Sequence, residues 1–253
     1  MRIASIGSGS RGNATIVTTE TTAIMVDCGF SLRETEQRLD DFGLTADDID
    51  AILVTHEHAD HIKGVGAFAR KYRTPVWLTH GTLQADRFGA LPLMETIVPE
   101  SDFKIGNLTI TPFSVPHDAL EPCQFRFDDG AISLGILTDT GMITPHIIDM
   151  LDGVNALLLE CNHDSLMLDE SEYPDSLKQR VGGDYGHLNN DQAAHLLKNM
   201  NTRNLSYIAA MHLSENNNTP QLAKESLSMA LQWDTGRIEV AHQELGLDWT
   251  QLN

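Results

Sequence analysis

The sequence predicts an α/β fold in which two β-sheets pack face to face under a covering of helices. Three observations lead there. Short apolar runs of strand length recur along the chain, some joined by polar turns as hairpins and others leading into helical patterns as βα pairs. The runs Ala51 to Thr55, Val154 to Leu159 and Leu205 to Met211 are apolar almost throughout, as in buried strands. No internal repeat, low-complexity tract or linker divides the 253 residues, so 1–253 read as one domain.

Arg2 to Ile6 and Ala14 to Thr18 are β-like runs joined by Gly7-Ser8-Gly9-Ser10-Arg11-Gly12-Asn13, a segment too rich in glycine for helix or strand. Ala23 to Val26 is a third strand. Ser31 and Glu34 form a capping-box start for a helix to about Asp41, closed by Gly43. Ala51 to Thr55 delivers the chain to His56, after which Ala59 to Tyr72 reads as one helix and Pro75 to Leu78 as a strand. Phe103 to Val115 reads as two or three strands broken at Gly106-Asn107 and Pro112, and strands prevail to Leu137. Thr144-Pro145 is an N-cap followed by proline at the first helical position, starting a helix to about Leu151. Helices prevail after the strand Val154 to Leu159. Ala193, Leu196, Leu197 and Met200 fall on one helical face, Leu205 to Met211 is the last core strand, and Thr219-Pro220 starts the final long helix before two short strands.

A content of 41% hydrophobic and 21% charged residues excludes disorder and fibre. No apolar run approaches a membrane span, the first residues break into Gly and Ser before a secretory core forms, and the three cysteines are widely spaced. Cys28, Cys123 and Cys161 therefore read as reduced thiols, and a cytoplasmic protein is expected. With 17 basic against 36 acidic residues the net charge is −19, which repels polyanions at long range. Any nucleic-acid binding must be local. The 11 histidines outnumber the methionines and the phenylalanines, and imidazole is the commonest metal ligand.

Thr55-His56-Glu57-His58-Ala59-Asp60-His61 places four potential ligands within six residues at the end of a buried strand. In extended chain His56 and His58 point the same way and can share one ion, while Asp60 and His61 at the helix start can serve a second. Further ligands are expected from strand ends on the same edge, and His117, Asp139 and His212 each follow an apolar strand. Singly, each reads as a turn residue; beside the 56–61 cluster, they read as ligands.

These residues resemble, in order, the motifs of the metallo-β-lactamase superfamily, with Asp27 matching its structural aspartate. The resemblance implies a four-layer αβ/βα sandwich. It also implies two divalent ions, one on His56, His58 and His117 and the other on Asp60, His61 and His212, with Asp139 bridging. Such a pair, about 3.5–4 Å apart, lowers the pKa of a bridging water towards 7 and makes it a nucleophile, so loss of Asp60 or His117 should abolish activity. Zinc, manganese and iron all suit the donor set. True lactamases usually lack the histidine matching His61, which argues against antibiotic hydrolysis.

The segments Gly7 to Asn13, Glu160 to Asp164, Tyr173-Pro174, Gly186 to Asn190 and His212 to Asn217 resemble the YycJ (WalJ) family, which implies phosphodiesterase or nuclease chemistry on DNA; Cys161 and Asn189 stand where serine is more usual. His187 is the best candidate for a catalytic residue outside the ligands, binding a phosphate oxygen or protonating the leaving oxygen. Asn162 and His163 are candidates to line the same pocket, and Ser8, Ser10 and Asn13 to present donors to a phosphate. Lys63 and Arg70, seven apart on the expected helix, with Lys71, Arg73, Lys178 and Arg180, offer a local phosphate track; binding would be weak and salt-sensitive without a recruiting protein. His80, His146, His195 and His242 lie in no ligand motif. Two other functions fit part of the pattern: a thioester or lactone hydrolase of glyoxalase type, against which the C-terminal stretch is acidic, and a metal-binding regulatory protein, against which all seven ligands are present.

Overall fold

In the computed structural model, which describes residues 1–253, the chain runs β1 (Arg2–Gly7), β2 (Ala14–Thr18), β3 (Ala23–Val26), α1 (Leu32–Asp41), β4 (Ala51–Leu53), α2 (Ala59–Ile62), α3 (Val65–Tyr72), β5 (Val76–Thr79), α4 (His80–Gln84), β6 (Met94–Ile97), β7 (Phe103–Ile105), β8 (Leu108–Ser114), β9 (Cys123–Asp128), β10 (Ser133–Leu137), α5 (Pro145–Leu151), β11 (Ala156–Glu160), α6 (Ser165–Glu170), α7 (Asp175–Val181), α8 (Asn190–Asn199), β12 (Tyr207–Met211), α9 (Pro220–Leu231), β13 (Glu239–Val240) and β14 (Leu247–Gln251). The first sheet has the order β14-β1-β2-β3-β4-β5-β6 and the second β13-β12-β11-β10-β9-β8-β7. Each is antiparallel in one half and parallel in the other: β3 to β6 and β10 to β13 are the parallel halves. No helix is long and apolar enough to cross a membrane.

Three apolar cores account for four layers. Between the sheets, Ile24, Val26 and Leu53 meet Phe125, Ile136, Leu158 and Met211. Outside the first sheet, Ile16, Met25 and Ile52 pack on Leu39 of α1 and Phe68 of α3; outside the second, Leu157 and Leu159 pack on Leu196 of α8 and Leu227 of α9. A strand such as β11 buries both of its faces, which is why its sequence does not alternate. Each large aliphatic or aromatic side chain buried this way is worth roughly 1.5–3 kcal/mol. Because the parallel strands of each sheet end along one edge, the loops that follow β3, β4, β10, β11 and β12 open together there.

Local signals set most boundaries. Thr144, Thr219 and Asn189 cap α5, α9 and α8 through their side chains, and Asn189 exchanges bonds with Gln192 as a full capping box. At α1 only half of the expected box forms: Ser31 accepts from the Glu34 N–H, but the Glu34 carboxylate is taken by Arg38. The single helix expected over 59–72 is two, α2 and α3. At Gly64 a Cβ would lie 2.4 Å from the Phe30 carbonyl oxygen, and the Gly64 N–H donates to Cys28 O at 2.8 Å, so the chain is pulled against the β3–α1 loop. Pro112 does not break β8. Its carbonyl accepts from Glu100 N–H, so its nitrogen also faces that side, beyond the end of β7, where the ladder requires no donor. Strand β6, which the sequence reading did not place, is a mostly exposed edge strand with no apolar alternation.

Candidate metal centre

At the shared edge, the loop after β4 is anchored by Asp27, which follows β3. The Asp27 carboxylate accepts from Thr55 N–H and Thr55 Oγ1–H, each at 2.9 Å, and from His61 Nδ1–H at 2.8 Å. The other imidazoles are fixed in the same manner. His56 Nδ1–H donates to Thr55 Oγ1 (3.0 Å), His58 Nε2–H to Asp118 O (3.1 Å) and His117 Nδ1–H to Gly186 O (2.9 Å). Each ring thereby turns its second nitrogen inward, the arrangement by which proteins orient imidazole ligands. His58 Nδ1 and His117 Nε2 stand 3.2 Å apart, two acceptors facing each other. His56 Nε2, Asp139 Oδ2 and both nitrogens of His212 are buried with no aligned hydrogen-bond partner. Such atoms are costly unless something fills the space between them.

The ligand-type atoms of His56, His58 and His117 lie within 4.8 Å of one another, as do those of Asp60, His61 and His212, and those of His56, His61 and Asp139. Asp139 stands between the groups, Oδ1 at 3.0 Å from His212 Nδ1 and Oδ2 at 3.4 Å from His61 Nε2. All seven residues named from the sequence are therefore together. The donor set of imidazoles and carboxylates fits divalent cations.

Electrostatics says the same. Burial opposes charge on His61 and His212, yet Asp139, Asp60 and Asp27 hold His61 protonated far above the usual imidazole range, and Asp139 with Glu160 pushes His212 up to about 10. Burial and neighbouring imidazoles push His56 and His117 the other way, keeping them neutral. Burial would raise the Asp139 carboxyl, but His212 and His61 outweigh it and hold it well below the usual range.

The backbone is bent to serve this site. Asp27, Asp139 and His212, each just after its strand, adopt left-handed φ of 61°, 54° and 53°. His212 is clamped there, its N–H donating to Ser8 Oγ at 2.8 Å and its carbonyl accepting from Asn162 Nδ2 at 3.0 Å. Left-handed backbone at a non-glycine residue costs about 1 kcal/mol and persists where the surroundings enforce it. Close packing does so near Asp60 too: a Cβ on Gly29 would lie 1.7 Å from Asp60 O and 2.6 Å from Asn13 N, where Asn13 N–H already donates to Asp60 O. Gly29→Ala should therefore cost about 3 kcal/mol of stability and lower metal content by displacing Asp60, read by thermal unfolding and metal analysis.

The centre opens into a cleft of about 380 Å³ whose lining includes Ser10, Asp60, Asp118, Tyr173, Arg180 and His187. His187 lies two residues before the Asn189 cap, and its ring is directed to the site by Nδ1, 2.8 Å from Glu160 Oε1. Other sequence expectations need correction. Asn13 is buried outside the cleft, its amide donating to Gly9 O and to the Asp60 carboxylate. Ser8 and Asn162 are spent on His212, and His163 lines a separate pocket with Ser165, Lys178 and Asn189 because the chain turns away after β11. The basic track does not form on one helix: the break at Gly64 separates Lys63 from Arg70, and Arg70 is bound to the carbonyls of Phe88 and Ala90.

Glu160 was missed. Fully buried at the end of β11, it accepts from the N–H groups of Thr140 and Leu188 as well as from His187. Burial opposes its charge, but His187 and His212 hold its pKa at about 2. The signal was available, since Ala-Leu-Leu-Leu-Glu repeats the pattern of an apolar strand ending in a polar residue.

A family model described as "Beta-lactamase superfamily domain" matches residues 22–209. The chain is 38% identical to "Exodeoxyribonuclease YycJ" of Bacillus anthracis over 90% of its own length and 88% of the relative's. It is 34% identical to "Exodeoxyribonuclease WalJ" of Streptococcus pneumoniae serotype 2 over 86% and 83%. The crystal structure of the metallo-β-lactamase fold protein YhfI from Bacillus subtilis superposes with a TM-score of 0.77 at 16% identity, covering 98% of both chains, a likeness of fold. Matched along nearly its whole length in sequence and in fold, the chain belongs to the metallo-β-lactamase superfamily, in its YycJ/WalJ family, and is a metal-dependent hydrolase.

Proposed function

We propose that residues 1–253 act as one domain, a binuclear phosphodiesterase on nucleic acid resembling a DNA exonuclease and working in the cytoplasm. His56, His58 and His117 hold one divalent ion, Asp60, His61 and His212 a second, and Asp139 serves both. The observation that carries this reading is that the imidazoles of His56, His58, His61 and His117 are each locked through one nitrogen with the other turned into a common centre. Charge favours cations there: Asp60, Asp139 and Glu160 are clustered with the imidazoles, and Asp27 is bonded to His61 behind them. Nuclease-named relatives favour a nucleic-acid substrate.

Divalent ions there supply Lewis acidity, lowering the pKa of water and neutralising an anionic phosphodiester. The Asp60 carboxylate, about a quarter exposed in the cleft, accepts the proton of the attacking water. Glu160 orients His187 and, against the opposing effect of burial, raises its pKa, so the imidazolium stands ready to protonate the leaving oxygen.

Protein loaded with zinc, manganese or iron in turn should hydrolyse bis-p-nitrophenyl phosphate and release nucleotides from DNA, and His117→Ala should lose both activities while remaining folded. Cleavage of a glutathione thioester with no phosphodiester turnover under any metal would replace this reading with the glyoxalase-type one.

A further inference from the structure

Resting on the reading of the cleft as a nucleic-acid site, we infer that the nucleic acid leaves it across the first sheet's side of the open edge, where Arg33, Lys63 and Arg87 form a row that holds its phosphates. The row follows from the topology. β3, β4 and β5 are parallel neighbours, so the segments after them emerge side by side at the edge that carries the metal centre. Arg33 lies in the first turn of α1 after β3, Lys63 ends α2 after β4, and Arg87 follows α4 after β5. All three are exposed and none has a carboxylate partner.

Local contacts fix the row against the cleft. Ala59 and Asp60 line the cleft, and Lys63 N–H donates to Ala59 O at 3.1 Å, so the lysine stands one turn along the same face of α2. Arg87 adjoins the histidine loop, its Nη1 donating to Glu57 O at 3.4 Å and its remaining guanidinium donors left to solvent. The segment that carries it is pressed on α3: a Cβ on Gly66 would lie 1.9 Å from Phe88 O. On the other flank, the entry to α1 is pressed on the residue after Lys63, where a Cβ on Gly64 would meet Phe30 O at 2.4 Å.

Charge picks out this side. At the same edge, Arg180 is paired with Asp118, and Arg11 is shared by Glu215 and Glu244. A phosphate approaching those cations must displace a carboxylate already in place. Around the row, the acids Glu34 and Glu36 of α1 are engaged by Arg38 and Lys71. In a chain of net charge −19, which repels a polyanion as a whole, unpaired cations beside the centre supply the local attraction.

Salt dependence tests the row without reference to turnover. Affinity of the metal-loaded protein for a fluorescent DNA duplex with phosphorothioate linkages, which resist cleavage, is measured over a range of salt concentrations. Lys63→Gln and Arg87→Gln should each weaken binding about fivefold and lower the slope of log affinity against log salt by about 0.9, and the triple variant with Arg33→Gln should lower it by about 2.7. Arg203→Gln removes the same charge from an exposed arginine that precedes β12 at the opposite edge, and should change neither quantity. Slopes equal to the parent's in all three row variants, or an equal loss in Arg203→Gln, overturn the inference. DNA cleavage retained with slopes indifferent to the row removes the row alone; slopes that respond to the row, with no phosphodiester cleaved under any metal, remove the catalytic reading and leave the row standing.

Discussion

Asp139→Asn is expected to lower phosphodiester turnover by about three orders of magnitude and to deplete bound metal, with the circular dichroism spectrum unchanged. Asparagine keeps the volume and tolerates the left-handed φ of 54° at this position, so the backbone after β10 need not move. What disappears is one negative charge at the point where it lies 3.0 Å from His212 and 3.4 Å from His61. No neighbouring group replaces it, since Asp139 Oδ2 has no protein hydrogen bond to reorganise. Metal analysis and steady-state kinetics measure the two effects separately. Full metal content with turnover within tenfold of the parent would show that the centre is not built around this carboxylate.

The second large effect is a pH dependence that differs between the two halves of the centre. Ligation needs a neutral imidazole, so a ring whose pKa is raised must give up a proton to bind, whereas one whose pKa is lowered need not. His212, raised to about 10, and His61, raised well above the usual range, are both protonated at neutral pH in the metal-free protein, and each releases a proton on binding. Affinity of the Asp60, His61 and His212 group should thus rise with pH, by up to about 100-fold per unit between pH 6 and 8. His56 and His117 are already neutral there, so neither gives up a proton to bind, and their group should depend on pH less steeply. Chelator competition at pH 6, 7 and 8 should resolve one shallow and one steep increase in affinity; two parallel curves would refute the assignment.

Much of this centre was legible in sequence because its donor residues obey local rules. His56 to His61 are set by spacing alone, and His117, Asp139 and His212 by a single polar residue ending an apolar strand. Glu160 obeyed the same rule, but a lone glutamate at a strand end also reads as an ordinary cap, and only its burial between His187 and His212 distinguishes it. The position of His163 depended on the direction the chain takes after β11, a tertiary fact. The break at Gly64 depended on a carbonyl contributed by Phe30, more than thirty positions earlier, which no periodicity reports.

The donors are divided between the two layers of strands: Asp27 and the His56 to His61 loop hang from the first sheet, while His117, Asp139 and His212 hang from the second. Ions held among them would act as a rivet through both halves of the sandwich at its open edge. Cofactor supply would then bear on the mechanical integrity of that edge as well as on its chemistry, adding to the few direct bonds, such as Cys123 N–H to Thr55 O, that already cross from one sheet to the other.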